Sequence, residues 1–302
     1  LASKPAISDL LASARVLSVP MRVKFRGVTH REVVLFEGTH KWTEWSPFLE
    51  YEDDEAATWL RAALEFGFSP TPALNKSAIY VNATLAAVAA ERVEEQLQAF
   101  GAFRTVKIKV AEPGQTIADD LARIRKVHEL HPSAAIRLDA NGGFSVEAAI
   151  ELSKELAIES INLQYFEQPV KTIAELAEVR LKLARIGIKV AADESVRKVE
   201  DPMAVVHAGA ADVLVLKAQP LGGVTNALAL AQECGLPVTV SSALETRIGL
   251  QAGFALATAL GGNTAHGLGT EAFFVEPEPF GQLASLERRS WWLERLERVL
   301  AI

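Results

Sequence analysis

The chain of 302 residues is 49% hydrophobic and carries 31 Lys and Arg against 38 Asp and Glu, a formal net charge of −7. That length suits one large domain or a barrel with a smaller unit attached, and the acidic balance argues against nucleic acid or an anionic membrane as a partner. A single cysteine, Cys234, excludes an intrachain disulfide and a cysteine-based zinc site, no apolar run reaches the roughly 18 residues of a membrane span, and Lys4, Asp9 and Arg15 interrupt any signal-peptide core, so a soluble, cytoplasmic protein is expected.

Residues 20 to 50 open with VKFRGVTHREVVLFEG, which reads as two strands joined by a turn, followed by GTHKWTEWSPFLEY, a loop carrying Trp42 and Trp45. EDDEAATWLRAALEFG then has an acidic first turn, helical apolar spacing and a closing glycine, which predicts a helix and, with the strands, a small α+β unit over residues 1–77. From residue 78 the pattern becomes a ladder. SAIYVNATL is the first strand, with Asn82 near its end, and AAVAAERVEEQLQAFG is a helix closed by Gly101. Five strands follow with helices behind them, then LPVTVSSALETR as a seventh strand with its loop and NTAHGLGT as the eighth. Cys234 falls near a helix end as a small buried residue. Eight strands alternating with helices over residues 78–270 predict a (β/α)8 barrel, and residues 271–302, with the WWLERLERVL helix, are expected to return to the α+β cap.

Each of the five middle strands ends in charge: Lys107 and Lys109 (VKIKV), Asp139 (IRLDANGG), Glu167 (YFEQP), Asp193 (AADES) and Lys217 (VLVLKAQPLGG). The steps from Lys109 onward are 30, 28, 26 and 24 residues, about one strand, one crossover helix and two loops each. Side chains two apart share a strand face, so Lys107 with Lys109, Arg137 with Asp139, and Val213 and Val215 with Lys217 point into the barrel, while Val106, Ile108 and Val110 face the helices. Barrel enzymes keep their chemistry at the C-terminal strand ends.

Any one of these charges could be solvated or structurally paired, but six in register at five consecutive strand ends point to a site. Three converging carboxylates repel one another unless a hard divalent cation with oxygen ligands cancels the charge. A lysine beside such a cation can move a proton if its amine is neutral, and a neighbouring ammonium, here Lys107 beside Lys109, favours that form. The short glycine runs at 221–223 and 267–270 read as tight turns, and His266 as a structural residue, since the six histidines lack metal-ligand spacing.

The KIK pair, LDAN, FEQP, ADES and LKAQPLGG resemble the enolase superfamily in its muconate-lactonizing-enzyme-like subgroup over essentially the whole chain. SSALETRIGL, FEQPV and WSPFLEY look like members that dehydrate 2-succinyl-6-hydroxy-2,4-cyclohexadiene-1-carboxylate to 2-succinylbenzoate in menaquinone biosynthesis. The resemblance implies Asp139, Glu167 and Asp193 as ligands of Mg2+, with Mn2+ as a substitute, and Glu194 as a residue behind them; Arg137, on the same strand face as Asp139, is expected behind them too. It implies Lys109 as the base, Lys107 as its assistant, and Lys217 as a cation stabilising the enolate across the barrel. Asn141, Ser241 and Ser242 match positions contacting the small-molecule carboxylate substrate, and the cap loop Lys41 to Phe48 would cover the site. Three alternatives stay open: an N-succinylamino acid racemase or dipeptide epimerase, although AHGLGT lacks the paired aspartates associated with the epimerases; a metal-free lyase forming a Schiff base on Lys217; and a non-catalytic barrel scaffold. Monomer and homo-oligomer are equally compatible with the sequence.

Overall fold

Alternating apolar residues at Val16, Val34 and Phe36 give the first two strands one face to bury, and they do so as an antiparallel pair. In a computed structural model, which describes residues 5–25, 27–72, 74–75, 79–198, 201–275 and 281–302, a short helix α1 (Ile7–Ser13) precedes β1 (Arg15–Phe25) and β2 (Val28–Glu37). Their register runs from Arg15 opposite Leu35 to Pro20 opposite His30, and is interrupted before Phe25 meets Val28. The segment read as a tryptophan-bearing loop contains a third strand, β3 (Trp42–Trp45), paired with β2. Helix α2 (Asp53–Phe68) begins with Asp53, Asp54 and Glu55 as expected, and buries Ala56, Trp59, Leu60 and Ala63 against this sheet. Gly67 does not terminate α2. It lies in the last turn, where a Cβ on Gly67 would stand 2.8 Å from Thr43 Cγ2.

The barrel strands are β4 (Ala83–Leu85), β5 (Thr105–Lys109), β6 (Ala135–Asp139), β7 (Leu163–Glu167), β8 (Val190–Ala192), β9 (Val213–Leu216) and β10 (Val238–Val240). They pair in parallel in sequence order. Behind them lie α3 (Val93–Leu97), α4 (Ile117–Leu130), α5 (Val146–Ile158), α6 (Ile173–Leu183), α7 (Glu194–Arg197), α8 (Ala204–His207), α9 (Val224–Glu233) and α10 (Leu250–Leu260). Thr116 with Asp119 and Thr172 with Glu175 form capping boxes that start α4 and α6. The continuous helix expected before Gly101 is broken into α3 with a 3-10 turn at each end. The carbonyls of Ala87 and Val88 accept hydrogen bonds from Gln115 and Arg123, which removes them from helical pairing. Asn82 precedes β4 rather than ending it. The expected cap–barrel boundary at 77/78 lies outside the described residues.

The eighth strand is reduced to two residues that close the barrel. His266 N–H donates to Tyr80 O and its carbonyl accepts from Asn82 N–H, while Gly267 N–H donates to Val240 O and its carbonyl accepts from Ser242 N–H. The His266 ring joins this seam, since Nδ1 accepts the Val240 N–H at 3.0 Å, which keeps the proton on Nε2. Burial, then the charge of Arg137, pushes the His266 pKa down from 6.5 to about 4. The folded value lies below the unfolded one, so this stabilisation is complete above pH 6.5 and is lost as pH falls toward 4. Urea unfolding at pH 7 and pH 4.5 should show the wild type losing roughly 2 to 3 kcal/mol more than His266→Gln over that interval; equal losses would mean that the imidazole stays unperturbed.

Parity follows the expectation. Val106, Ile108, Val110, Leu214 and Leu216 join the core under the helices, and Tyr165, Ala191, Val213 and Val215 fill the barrel interior. Cys234 is buried at the C-terminal end of α9. The last helix, α11 (Leu286–Leu300), packs on the cap: Trp292 meets Trp45 edge-on at 5.4 Å, and Arg295 pairs with Asp53 at 3.0 Å.

Candidate active site

Strand pairing places Lys109 beside Asp139 and Asp139 beside Glu167, so three adjacent strands end in one charged layer. Asp193 and Lys217 extend that layer, each one residue beyond its strand. Lys107 Nζ bridges Asp139 Oδ2 at 3.2 Å and Glu167 Oε1 at 3.1 Å. Lys217 Nζ lies 2.6 Å from Asp193 Oδ2, whose other oxygen accepts from Arg197 Nε at 2.8 Å. Lys109 is buried and makes no ion pair with any described residue, so the three lysines are not equivalent.

Burial opposes charge throughout this layer, and the balance differs from site to site. Against burial, Glu167 and then Asp139 hold the Lys107 ammonium well above the ordinary lysine range. Against burial, Arg197 and Lys217 hold Asp193 well below the usual carboxylate range, and Lys107 with Lys109 do the same for Asp139. Burial pushes Glu167 up to about 7, with Lys107 opposing and the Asp139 and Asp193 charges adding to the rise.

Asn141 is held at φ 44°, with its amide donating to Glu194 Oε1 at 3.2 Å. Glu194 also accepts from Arg197 at 2.6 Å, and Arg197 in turn pairs with Asp193. Arg137 does not stand behind the carboxylates. It lies two residues deeper in the barrel, bonded to Gln164, Asn82 and the Ala265 carbonyl and stacked on Tyr165, because its strand position points it inward below the charged layer.

A small cavity at the mouth is lined by Lys107, Lys217, Asp139, Asn141, Ser241 and Ser242, with Phe25 and Phe48 of the cap on another side. Lys109, Glu167 and Asp193 stand in the same layer without lining it. Of the covering loop only its end, Phe48, reaches the cavity; Lys41 is turned away onto Phe66 and Thr71. The backbone amides of Ser241 and Ser242 are committed to Leu216 and Gly267 carbonyls, and the Ser242 hydroxyl bonds Thr270 at 2.6 Å. Sequence reasoning missed Gln168. At φ 38° this residue turns its buried amide so that Oε1 accepts both Asp193 N–H and Ser195 N–H at 3.1 Å, fixing the Asp193 backbone.

Three buried carboxylates lie in one layer, two of them spanned by a single ammonium, and carboxylate oxygens are the ligand type that a hard divalent cation such as Mg2+ or Mn2+ takes. Among the described residues no three His, Cys, Asp or Glu side chains are placed to share one ion, because Lys107, Lys217 and Arg197 occupy the carboxylate oxygens.

Residues 84–284 match the family model described as enolase C-terminal domain-like, and residues 16–67 the enolase N-terminal domain-like model. An o-succinylbenzoate synthase from Mycolicibacterium smegmatis is 45% identical over 97% of this chain and 96% of its own. The chain belongs to the o-succinylbenzoate synthase family of the enolase superfamily. The fold is shared more widely. A muconate lactonizing enzyme from Pseudomonas fluorescens superposes with a TM-score of 0.71 at 18% identity, covering 87% of this chain and 88% of that one. A dipeptide epimerase from Enterococcus faecalis, complexed with Mg and L-Leu-L-Tyr, gives 0.71 at 21% identity, covering 91% and 93%. No helix among the described residues is long and apolar enough to cross a membrane.

Proposed function

We propose that this site removes water from 2-succinyl-6-hydroxy-2,4-cyclohexadiene-1-carboxylate to give 2-succinylbenzoate, with Asp139, Glu167 and Asp193 holding Mg2+, or Mn2+ in its place. The observation that carries this reading is the charged layer itself: three buried carboxylates flanked by two lysines in ion pairs and one that pairs with no described residue. When bound, the divalent cation would supply Lewis-acid stabilisation of the negative charge that develops on the substrate carboxylate.

Lys109, which pairs with no described carboxylate, takes the proton from the carbon bearing that carboxylate. The ring C–O bond then breaks, the Lys109 ammonium returns the proton to the departing hydroxyl, and water leaves as the ring becomes aromatic. One lysine serves both steps when the hydrogen and hydroxyl depart from the same face. Lys107, clamped by Asp139 and Glu167, remains an ammonium and contributes positive field beside Lys109. Lys217, held by Asp193, presents a fixed cation to the cavity, where it faces the ring and stabilises the electron-rich intermediate. Phe25 and Phe48 exclude water, and Asn141 with the Ser241 hydroxyl offers polar contacts to the substrate.

A racemase or epimerase would need Lys109 and Lys217 as equivalent proton carriers on two faces, whereas the relative that is 45% identical over nearly the whole chain is named o-succinylbenzoate synthase, which supports dehydration. Lys217→Arg keeps the cation without an easily neutralised amine. It should retain measurable dehydration and lose any N-succinylamino acid racemisation. Equal loss of both activities would make Lys217 a proton carrier in each and contradict its assigned role.

A further inference from the structure

Arg31 lies on β2 of the cap, 2% exposed, and reaches two loops distant in sequence that both line the mouth cavity. Its guanidinium donates to the Ser46 and Pro47 carbonyls on the cap side, and to Leu244 O at 3.1 Å and Ala243 O at 3.5 Å on the loop after β10. Its Cζ lies 4.3 Å from the centre of the Phe48 ring. Phe48 and Leu244, the side chains these loops carry to the cavity, are thus held by one planar fork of donors.

Leu244 adopts φ 61°, a region that residues with a Cβ occupy only where their surroundings impose it. The constraints are visible. Its carbonyl is taken by Arg31, and the preceding Ala243 N–H donates to Glu245 Oε2 at 2.5 Å. Beneath them the buried Glu44 accepts from Thr246 N–H and hydroxyl, from Gly249 N–H at 3.1 Å and from the Ser46 hydroxyl at 2.7 Å. A Cβ on Gly249 would fall 2.7 Å from Glu245 Cβ and 2.8 Å from Glu44 Cδ, so the two acids close on a position with no spare room. Burial and then the Glu44 charge push Glu245 up to about 7, and the Arg31 charge opposes both of these effects.

We infer that Arg31 is a positioning residue for the dehydration: by joining the Ser46–Phe48 and Ala243–Leu244 loops it sets the cavity wall against which the succinyl arm of the substrate rests. The inference rests on the proposed reaction. The reacting carboxylate end belongs with Lys107, Asp139 and Lys217, which leaves the wall containing Phe48, Ser242 and Leu244 for the rest of the substrate. Contacts remote from the reacting carbon are made in ground and transition states alike, so disturbing them raises KM more than it lowers kcat.

Arg31→Lys is the informative change, since it keeps the charge opposite Glu44 and Glu245 but cannot span both loops. KM should rise about 10-fold or more with kcat within about 3-fold, and amide hydrogen exchange should accelerate in 46–48 and 243–246 but not in the barrel strands. A KM within twofold of wild type with unchanged exchange in both loops would overturn the inference, because charge alone would then suffice. If Arg31→Lys does not fold, Glu245→Gln, which leaves Arg31 in place and weakens the hold on Ala243, should give the same split and local exchange, and their absence would overturn it equally. Failure of the wild type to dehydrate the substrate would remove the proposed reaction, and the exchange measurement would still decide whether Arg31 joins the loops.

Discussion

Lys109→Ala should lower kcat/KM for dehydration by about 10^3-fold or more, since positioned acid–base groups contribute roughly 10^2 to 10^4 and this one serves both proton transfers. The neighbouring lysine cannot substitute. Lys107 is held as an ammonium between Asp139 and Glu167, and using it as a base would first require breaking a buried double ion pair. Lys109→Ala should leave the fold intact, because the amine it removes pairs with no described residue. Product formation followed with limiting and saturating substrate, alongside thermal melting, checks both parts. A variant retaining a tenth of wild-type activity would place the base elsewhere.

EDTA should abolish turnover, and Mg2+ or Mn2+ should restore it. Asp193→Asn should weaken Mn2+ binding by on the order of 10-fold or more, by analogy with the sensitivity of metal sites even to changes behind the ligands. The same change has a second consequence. Asp193 is the shared partner of Lys217 at 2.6 Å and Arg197 at 2.8 Å, so the amide leaves buried Lys217 without its anion and Arg197 with Glu194 alone. Breaking such an arrangement from one side costs on the order of 3 to 5 kcal/mol, and the melting temperature should fall accordingly. Mn2+ titration followed by electron paramagnetic resonance separates binding from activity. Wild-type turnover in thoroughly metal-free protein would contradict the ligand assignment.

The charged rungs were legible in the sequence because strand period and βα spacing are local properties: a two-residue alternation and steps of 24 to 30 residues suffice to put Lys109, Asp139, Glu167, Asp193 and Lys217 at one end of the barrel, with Lys107 on the same strand face two residues below Lys109. What depends on distant partners was not legible. The run WTEW is too short to declare itself as β3 without its register against β2. The sequence before Gly101 predicts an unbroken helix, since nothing nearby reveals that Gln115 and Arg123 take its first carbonyls. Arg137 has the right parity for the site, yet its depth in the barrel is decided by Asn82 and Ala265, which come from the two ends of the sheet. The Arg31 contacts to Ala243 and Leu244 span more than 200 residues, and a charge among the polar neighbours Thr29, His30 and Glu32 carries no local signature of them. Gln168 left no usable trace, because a residue before a proline favours extended backbone and its φ of 38° departs from that.

The central claim is that the mouth of this barrel is a cation-dependent dehydratase with one proton-carrying lysine. Its most direct test is the conversion of 2-succinyl-6-hydroxy-2,4-cyclohexadiene-1-carboxylate by the purified protein with Mg2+, followed by the appearance of aromatic 2-succinylbenzoate and compared with α-proton exchange of N-succinylamino acids under the same conditions. The account predicts rapid formation of the aromatic product, strongly suppressed by EDTA and by Lys109→Ala. Absence of that product from folded, Mg2+-supplemented protein, with N-succinylamino acid exchange proceeding efficiently, would contradict it.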